Sequence, residues 1–396
     1  MARPIITRTV WILSLVSLFT DAASEMLYPI MPLYLKSIGF SVFLIGLLEG
    51  IAEATAGLSK GYFGRWSDER ASRLPFIQAG YALSTISKPM MAVFSWPLWI
   101  FFARTLDRFG KGIRTGARDA LLSDEATPET KGGVFGFHRA MDTLGAAIGP
   151  SLALLYLYFY PENYIALFYI AFIPGSLAVL ASFLLKEKKR EVDGTSKRIP
   201  LSAVYSYWKT SPSSYKTIVG GLLAFALFNS SDIFILLRAK EAGFSDSVLI
   251  GMYIFYNLIY ALFAYPLGRL SDKLGLRNVF IIGLVLFALT YILLIQDGNI
   301  WLYGVAIFIY GIYAAATYGI SKAWISNITP KEETAAAIGT YSGFQSVCAM
   351  IASTLAGFIW YKFGSTPTFI LTAAASIGVA IYFLTRASNR NAVEMH

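Results

Sequence analysis

The sequence predicts an all-α membrane protein in which twelve transmembrane helices form two pseudo-symmetric six-helix bundles. Of its 396 residues, 56% are hydrophobic and only 14% are charged, and its mean hydropathy is +0.57. A soluble protein carries about a quarter charged residues. This shortage of charge excludes a soluble globular enzyme as the main interpretation, and the 15% aromatic content excludes a disordered chain.

The apolar stretches are long enough to cross a bilayer, whose core of about 30 Å requires about 20 residues of helix. The predicted spans are 8–36, 43–63, 74–95, 97–121, 132–158, 164–185, 217–238, 247–267, 278–296, 300–325, 335–362 and 366–385. The chain therefore divides into an N-terminal bundle at 1–185, a polar linker at 186–216 and a C-terminal bundle at 217–396. The first apolar stretch has no small-residue cleavage site, so no cleavable signal peptide is expected.

The Lys and Arg residues of the loops predict the orientation of the chain. If the N-terminus is cytoplasmic, the cytoplasmic segments include the basic linker, with its run KEKKREVDGTSKR. The opposite side then carries only Lys36, Arg238, Lys240 and Lys362. By the positive-inside rule, both termini and the linker are cytoplasmic, in the inner membrane of a bacterium. The net charge of +9 thus reflects topology, and no nucleic-acid partner is expected.

An internal repeat relates the two predicted bundles. The loop after the second span, Gly64–Arg73, and the loop after the eighth span, Gly268–Arg277, share the pattern G-R-x-S-D and a final Arg. The two copies occupy the same place in each half. Duplicated halves that face each other around a central site are a common plan among membrane transporters.

At these loops the sequence resembles the major facilitator superfamily, and the resemblance extends over the whole chain. Gly268–Arg277 follows the family's loop pattern G-x-L-[AS]-D-[RK]-x-G-[RK]-[RK] closely. The first copy departs from it, with Glu69 where a base is usual and Ala71 where glycine is usual.

The fifth span resembles an antiporter subgroup of this family, which carries the pattern G-x8-G-x3-G-P. Gly136, Gly145, Gly149 and Pro150 have this spacing, although Ala153-Leu154 replaces the glycine pair that follows in the subgroup. The resemblance implies an exporter that exchanges its substrate for protons. The same glycines also have a purely structural interpretation, because small residues four apart allow two helices to pack closely.

The resemblance also implies residues that govern opening and closing. In the family, the loop aspartates hold the cytoplasmic side closed, and charged residues at the end of the fourth span pair with the first loop aspartate. The implied gating residues are Asp68, Arg114, Arg118, Asp119, Asp272, Arg277, Gly145, Gly149 and Pro150.

Carboxylates occur inside the predicted spans, where a charge costs about 2.5–3.5 kcal/mol on insertion scales. The first and second spans each carry two carboxylates four residues apart, and so on one helical face. The fifth span carries one more. The predicted proton-coupling residues are Asp21, Glu25, Glu49, Glu53 and Asp142.

A basic stripe runs along the fourth span. Its members, spaced three or four residues apart on one face, are Arg104, Arg108, Lys111, Arg114 and Arg118. A helix with this stripe cannot face lipid on that side. We expect at least one of Arg104, Arg108 and Lys111 to bind a negative group of the substrate, and the alternative is internal salt bridges to Asp21, Glu25 or Glu49.

The C-terminal half carries aromatic and amide groups in place of most of the charge. Asp232 and Lys322 are its main charges inside the predicted spans. The substrate-binding residues predicted in this half are Asn229, Tyr253, Tyr256, Asn257, Tyr310 and Gln345. The tyrosines would take the apolar part of a substrate, or they are core or membrane-interface residues.

The sequence lacks the residue patterns that an enzyme of a known class would need. Cys348 is the single cysteine, there are two histidines, and no nucleophile elbow, phosphate-binding loop or H-E-x-x-H motif occurs. No cofactor is expected, and transport would draw on ion gradients. The predicted function is a monomeric, proton-coupled antiporter that exports an anionic or zwitterionic organic molecule by alternating access.

Three alternatives remain. The first is a proton-coupled importer of an organic anion such as a sugar acid or siderophore. The second is a divalent-cation carrier that uses the carboxylates of the first two spans as oxygen ligands. A receptor that does not transport is the third.

Overall fold

The computed structural model describes residues 5–28, 30–40, 42–187, 203–296 and 299–386. In this part of the chain all regular secondary structure is helical. The helices of the predicted N-terminal half are α1 (Arg8–Leu27), α2 (Met31–Ser37), α3 (Val42–Glu69), α4 (Leu74–Val93), α5 (Pro97–Asp124), α6 (Lys131–Phe159) and α7 (Tyr164–Ser182).

The remaining helices begin inside the predicted linker. They are α8 (Ala203–Thr210), α9 (Ser213–Ala226), α10 (Ile233–Glu241), α11 (Asp246–Leu274), α12 (Leu276–Leu293), α13 (Ile300–Asn327), α14 (Thr334–Phe363) and α15 (Ser365–Arg386). A short 3₁₀ turn, Lys331–Glu333, precedes α14. The sequence did not predict α8, and most of the basic run of the linker lies outside the described residues.

Each predicted span coincides with a helix or with a pair of helices. The first span is divided into α1 and α2, and the seventh into α9 and α10. In the seventh, the break contains Asn229, Ser230, Ser231 and Asp232. Such side chains compete with the helical hydrogen bonds by bonding to nearby backbone groups, which explains why the helix stops here.

Among the described residues, seven helical segments are long and apolar enough to cross a membrane by themselves. They are Arg8–Leu27, Lys131–Phe159, Tyr164–Ser182, Leu276–Leu293, Ile300–Asn327, Lys331–Phe363 and Ser365–Thr385. The helix α5 falls outside this group because its Arg, Lys and Asp residues lower its hydropathy. Those charges need protein or water around them.

The residues group into two compact units. Unit 1 comprises Met1–Thr127, Met141–Ser211 and Ser326–Ser346, and unit 2 comprises Pro128–Ala140, Pro212–Ile325 and Val347–His396. Unit 1 therefore includes the first part of α14, and unit 2 includes the first part of α6. The division into bundles at 1–185 and 217–396 stays a prediction.

Close helix contacts in unit 1 depend on glycine. A methyl group added to Gly80 in α4 would lie 2.6 Å from the carbonyl oxygen of Gly110 in α5, and the reverse contact has the same length. Because neither residue has a side chain, the two backbones approach closely. This contact holds the basic stripe of α5 against α4.

Candidate functional site

The outer part of the basic stripe is neutralised inside unit 1 by Asp107. The Asp107 carboxylate lies 3.5 Å from the guanidinium of Arg104 and 3.6 Å from the ammonium of Lys88. It also accepts a hydrogen bond of 2.8 Å from the Ser84 hydroxyl. Lys88 is only 2% exposed, so this charge depends on its partners. The sequence analysis did not include Lys88, Ser84 or Asp107 among the site residues.

The middle of the stripe is more accessible. The Arg108 guanidinium lies 3.5 Å from the carboxylate of Glu53, whose side chain is 53% exposed. Lys111 is half-buried. It lies close enough to the carboxyl groups of both Glu53 and Asp21 to interact with them electrostatically. Arg108 itself is buried, so the exposure of this region comes from Lys111 and Glu53.

The inner end of the stripe bonds within unit 1. Arg114 donates a hydrogen bond of 3.0 Å to the Ser84 hydroxyl, and its guanidinium lies 4.5 Å from the centroid of the Tyr81 ring. Arg118 forms an ion pair of 2.9 Å with Asp119, its neighbour in the chain. Both bases are buried. Their predicted pairing with the first loop aspartate stays a prediction.

Two of the predicted proton-coupling residues meet in unit 1. The carboxyl group of Asp21 in α1 lies close enough to the carboxyl group of Asp142 in α6 for the two to interact directly. The Ser17 hydroxyl donates to Asp142, and Arg118 donates to Ser17 at 3.5 Å. We call Asp21 and Asp142 the carboxyl pair. Two carboxyl groups at this range can form a hydrogen bond only when one of them carries a proton.

The other predicted acidic residues differ in their surroundings. Glu25, four residues after Asp21, interacts with it electrostatically. Glu53 faces Arg108, as described above. The side chain of Glu49 lies outside the described residues. Within the described part of the chain, no group of three or more His, Cys, Asp or Glu side chains could hold a metal ion.

The two loop aspartates accept hydrogen bonds from the first turns of long helices. In unit 1, the Asp68 carboxylate accepts a bond of 2.8 Å from the backbone N–H of Ala336 in α14. In unit 2, the Asp272 carboxylate accepts bonds of 2.7 and 2.8 Å from the N–H groups of Gly132 and Gly133 in α6. The first N–H groups of a helix have no partner inside the helix and carry its positive dipole end. Both loops of the repeat therefore bind helix N-termini.

Arg73, which the sequence analysis did not select, has a central position in unit 1. Its guanidinium is fully buried and lies 3.3 Å from the carboxylates of both Asp68 and Asp124. It also donates a bond of 3.1 Å to the carbonyl of Lys331. The signal for this residue was available, since Arg73 is the final Arg of the first loop copy. Its counterpart Arg277 is half-buried in the first turn of α12.

The linker helix α8 is attached to unit 1 near the start of α14. The Tyr207 hydroxyl interacts with the side chains of Thr329 and Glu333. Burial, followed by the nearby Glu333 carboxylate, raises the pKa of Tyr207. The Trp208 ring packs edge-on against Phe344, with the ring centroids 5.7 Å apart. The end of the linker is thus fixed beside the residues that bind Asp68 and Arg73.

The glycines of the antiporter pattern form a helix contact. Gly145 and Gly149 in α6 lie against the backbone of α1, next to the carbonyl groups of Leu18 and Ala22. Pro150 follows inside α6, which continues to Phe159. This contact brings α1 and α6 close enough for Asp21 and Asp142 to meet.

Most of the predicted tyrosines and amides cluster in unit 2. The rings of Tyr253 and Tyr256 lie 6.4 Å apart, and those of Tyr256 and Tyr310 lie 5.2 Å apart. The Tyr310 hydroxyl donates a hydrogen bond of 2.6 Å to Asp232. The three predicted amides have other surroundings. Asn229 donates a hydrogen bond of 3.4 Å to the Tyr318 hydroxyl, and Asn257 donates one to the backbone carbonyl of Tyr253. Gln345 lies half-buried in unit 1.

Comparison with known proteins shows the family of the chain. The sequence pattern that defines the Major Facilitator Superfamily matches residues 13–256 and 233–394. An uncharacterized MFS-type transporter of Methanocaldococcus jannaschii is 31% identical over 392 residues, covering 96% of this chain and 95% of the relative. A homologue of the multi-drug resistance efflux pump PmrA from Lactococcus lactis is 25% identical over 370 residues, or 87% of each chain.

Solved structures confirm the predicted fold class. The crystal structure of the human organic anion transporter MFSD10 superposes with a TM-score of 0.80, covering 96% of this chain and all of that chain, at 16% identity. At this identity the similarity shows the fold alone. Proteins of this fold have twelve helices in two halves, and they are multi-pass membrane transporters, not enzymes.

Proposed function

The chain belongs to the major facilitator superfamily, and from this premise we propose that it is a proton-coupled efflux antiporter of an anionic or zwitterionic organic molecule. The observation that carries the proposal is the close approach of the carboxyl groups of Asp21 and Asp142, across the glycine contact between α1 and α6. Efflux is supported by the similarity to the PmrA homologue and by the antiporter pattern in α6. We place the protein in the cytoplasmic membrane of a bacterium, as a monomer with both termini in the cytoplasm.

The carboxyl pair suits a proton site for electrostatic reasons. Two carboxyl groups in direct contact cannot both ionise readily, because loss of the proton that they share leaves two negative charges side by side. Each change in its charge acts on Lys111, which interacts with Asp21, and on Arg118, which reaches Asp142 through Ser17. Proton binding would weaken these attractions and shift the balance between conformations.

The accessible part of the basic stripe suits a negative substrate group. Lys111 is half-buried, and Arg108, although buried, faces the exposed carboxylate of Glu53, whereas the carboxylate that pairs with Arg104 is itself buried. A guanidinium presents a planar fork of donors that matches a carboxylate or a phosphate. We therefore assign the contact with the negative group of the substrate to Arg108 and Lys111.

Flux in proteoliposomes under an imposed pH gradient, across a panel of organic anions, zwitterions and cations, tests this proposal. Asp21→Asn and Asp142→Asn should abolish accumulation driven by the gradient, while exchange of substrate for substrate continues in part. Glu162→Gln is the matched control, because it removes an exposed carboxylate from the turn between α6 and α7.

The outcomes separate the alternatives. Substrate movement opposite to the proton gradient supports antiport, and movement in the same direction supports import and contradicts the proposal. Normal gradient-driven transport in both single variants and in the double variant would exclude the carboxyl pair as the proton site.

A further inference from the structure

Asp232 is a charged residue that the proposed proton pathway does not use. It lies in the break between α9 and α10, immediately before the first residue of α10. Its carboxylate is half-buried and accepts a hydrogen bond of 2.6 Å from Tyr310. In the described part of the chain no basic side chain forms an ion pair with it. A carboxylate inside a membrane span without a positive partner is costly, unless a ligand or a proton supplies the positive charge.

Aromatic rings surround this carboxylate. Four tyrosines interact with Asp232 electrostatically, and we call them the tyrosine cage: Tyr256, Tyr291, Tyr310 and Tyr318. Tyr313 lies between two members of the cage: its ring centroid is 5.2 Å from that of Tyr310 and 6.2 Å from that of Tyr318. Faces of aromatic rings attract cations, and the attraction is larger where water is excluded.

The cage already lies beside a cation of the protein. The Arg139 guanidinium is 5.8 Å from the centroid of the Tyr318 ring and 6.0 Å from that of Tyr260. Arg139 thus lies beside the rings of Tyr318 and Tyr260, whereas the Tyr310 hydroxyl and the Asp232 carboxylate meet at the helix break. The rings of unit 2 therefore favour positive charge at more than one position.

A second acceptor lies near Asp232. Asn229 is in the same break and donates its amide N–H to the Tyr318 hydroxyl. Its carbonyl oxygen is buried and has no hydrogen-bond partner among the described residues. A buried acceptor without a donor is destabilising. An N–H donor that arrives with a ligand would remove this cost.

We propose that Asp232, Asn229 and the tyrosine cage bind a cationic nitrogen, an organic ammonium group with at least one N–H, carried by the transported molecule. The carboxylate supplies the charge, the rings supply the cation–π attraction, and the Asn229 carbonyl accepts the N–H. This inference rests on the proposed transport function, and it narrows the substrates to those that contain an amine.

Binding of two matched probes to the purified full-length protein tests the inference. Tryptamine and indole-3-propionate share the indole ring and the length of the side chain, but they end in an ammonium and a carboxylate respectively. Isothermal titration should show that wild-type protein binds tryptamine and that Asp232→Asn weakens this binding at least about tenfold, as expected for loss of a desolvated charge pair. Indole-3-propionate should bind both proteins equally.

Further variants serve as controls. Glu241→Gln removes a more exposed carboxylate from the end of the same helix, α10, and should leave tryptamine binding unchanged. If Asp232→Asn does not fold, Asn229→Ala and Tyr310→Phe provide the test, and each should weaken tryptamine binding several-fold.

Three results would overturn the inference. They are failure of the wild type to bind tryptamine, wild-type affinity in the Asp232 variant, and complete displacement of tryptamine by Na⁺ at equal concentration, which would indicate an inorganic ion site. Failure of proton-driven flux with tryptamine binding intact would instead contradict the proposed function alone, so the two failures are distinguishable.

Discussion

The carboxylate of Asp68 accepts a hydrogen bond of 2.8 Å from the backbone N–H of Ala336, which lies in the first turn of α14. Asp272 makes the equivalent bonds to the first turn of α6. The two aspartates occupy the same position in the internal repeat. A carboxylate at a helix N-terminus is stabilised by the helix dipole and by N–H groups that have no other partner. Both contacts lie at the end of the helices that the sequence predicts to be cytoplasmic.

Replacing these aspartates should open this end of the protein. Asp68→Asn or Asp272→Asn removes the charge from the hydrogen bond, which should cost about 1–2 kcal/mol and change the population of the open state about tenfold. In a Cys348→Ser background, cysteines at Ser67 and Ser271, both fully buried here, report opening by their rate of alkylation. Unchanged labelling in both variants would contradict this assignment.

Arg73 should be more important for stability than the other bases of its loop. Arg73→Ala would leave the carboxylates of Asp68 and Asp124 without their buried partner, at a cost of about 3–5 kcal/mol. Arg73→Lys should recover only part of this loss, because an ammonium lacks the planar fork of donors. The measurement is the melting temperature of purified protein. Arg70→Ala, at an exposed position in the same loop, is the control and should melt close to wild type.

Arg108 and Lys111 should determine the affinity for anions. Lys111→Ala and Arg108→Ala should each lower the affinity for a transported anion about tenfold or more, because a hydrogen bond to a charged group contributes about 1.5–3 kcal/mol. Arg108→Lys should have a smaller effect in the same direction. Lys362→Ala removes an exposed base at the end of α14 and should bind normally. If both alanine variants bind the anion with wild-type affinity, the middle of the stripe has a structural role only.

The contact between α1 and α6 should not tolerate a methyl group. In Gly149→Ala the new methyl would meet the backbone of Ala22 and Met26, so the helices must separate and the carboxyl pair with them. We expect a lower melting temperature together with loss of proton-driven flux. Gly220→Ala in α9 is the matched control, because no atom lies within 4 Å of the added methyl. A melting temperature and a flux of Gly149→Ala no lower than those of Gly220→Ala would contradict this prediction.

The helical elements could be predicted from the sequence because the length of a membrane span is a local property. Apolar stretches of the required length identified every long helix, and the spans they predicted agree with the observed bounds of α4, α6 and α13 to within a few residues. The breaks after α1 and α9 were missed, because a hydropathy window averages over short polar segments. The Asn and Ser residues at 229–231 were a signal for the second break.

The candidate site could be predicted only as separate sets of residues. Spacing identified the basic stripe and each carboxylate, since residues three or four apart share a helical face. It could not identify partners on other helices. Asp107 joins Lys88, Ser84 and Arg104 in one cluster, and Arg73 binds two acidic residues, because different helices pack side by side.

The sequence by itself determined the membrane class, the long helices and the family of this protein. The length of the apolar stretches, the charge of the loops and the repeated loop depend only on the order of the residues along the chain. Only the tertiary structure decided that Asp21 meets Asp142, that Asp68 and Asp272 bind helix N-termini, and that Asp232 accepts a hydrogen bond from Tyr310. Each of these relationships joins residues on different helices. The energy of a buried charge depends on the atoms within a few ångströms of it, and packing, rather than spacing along the chain, selects those atoms.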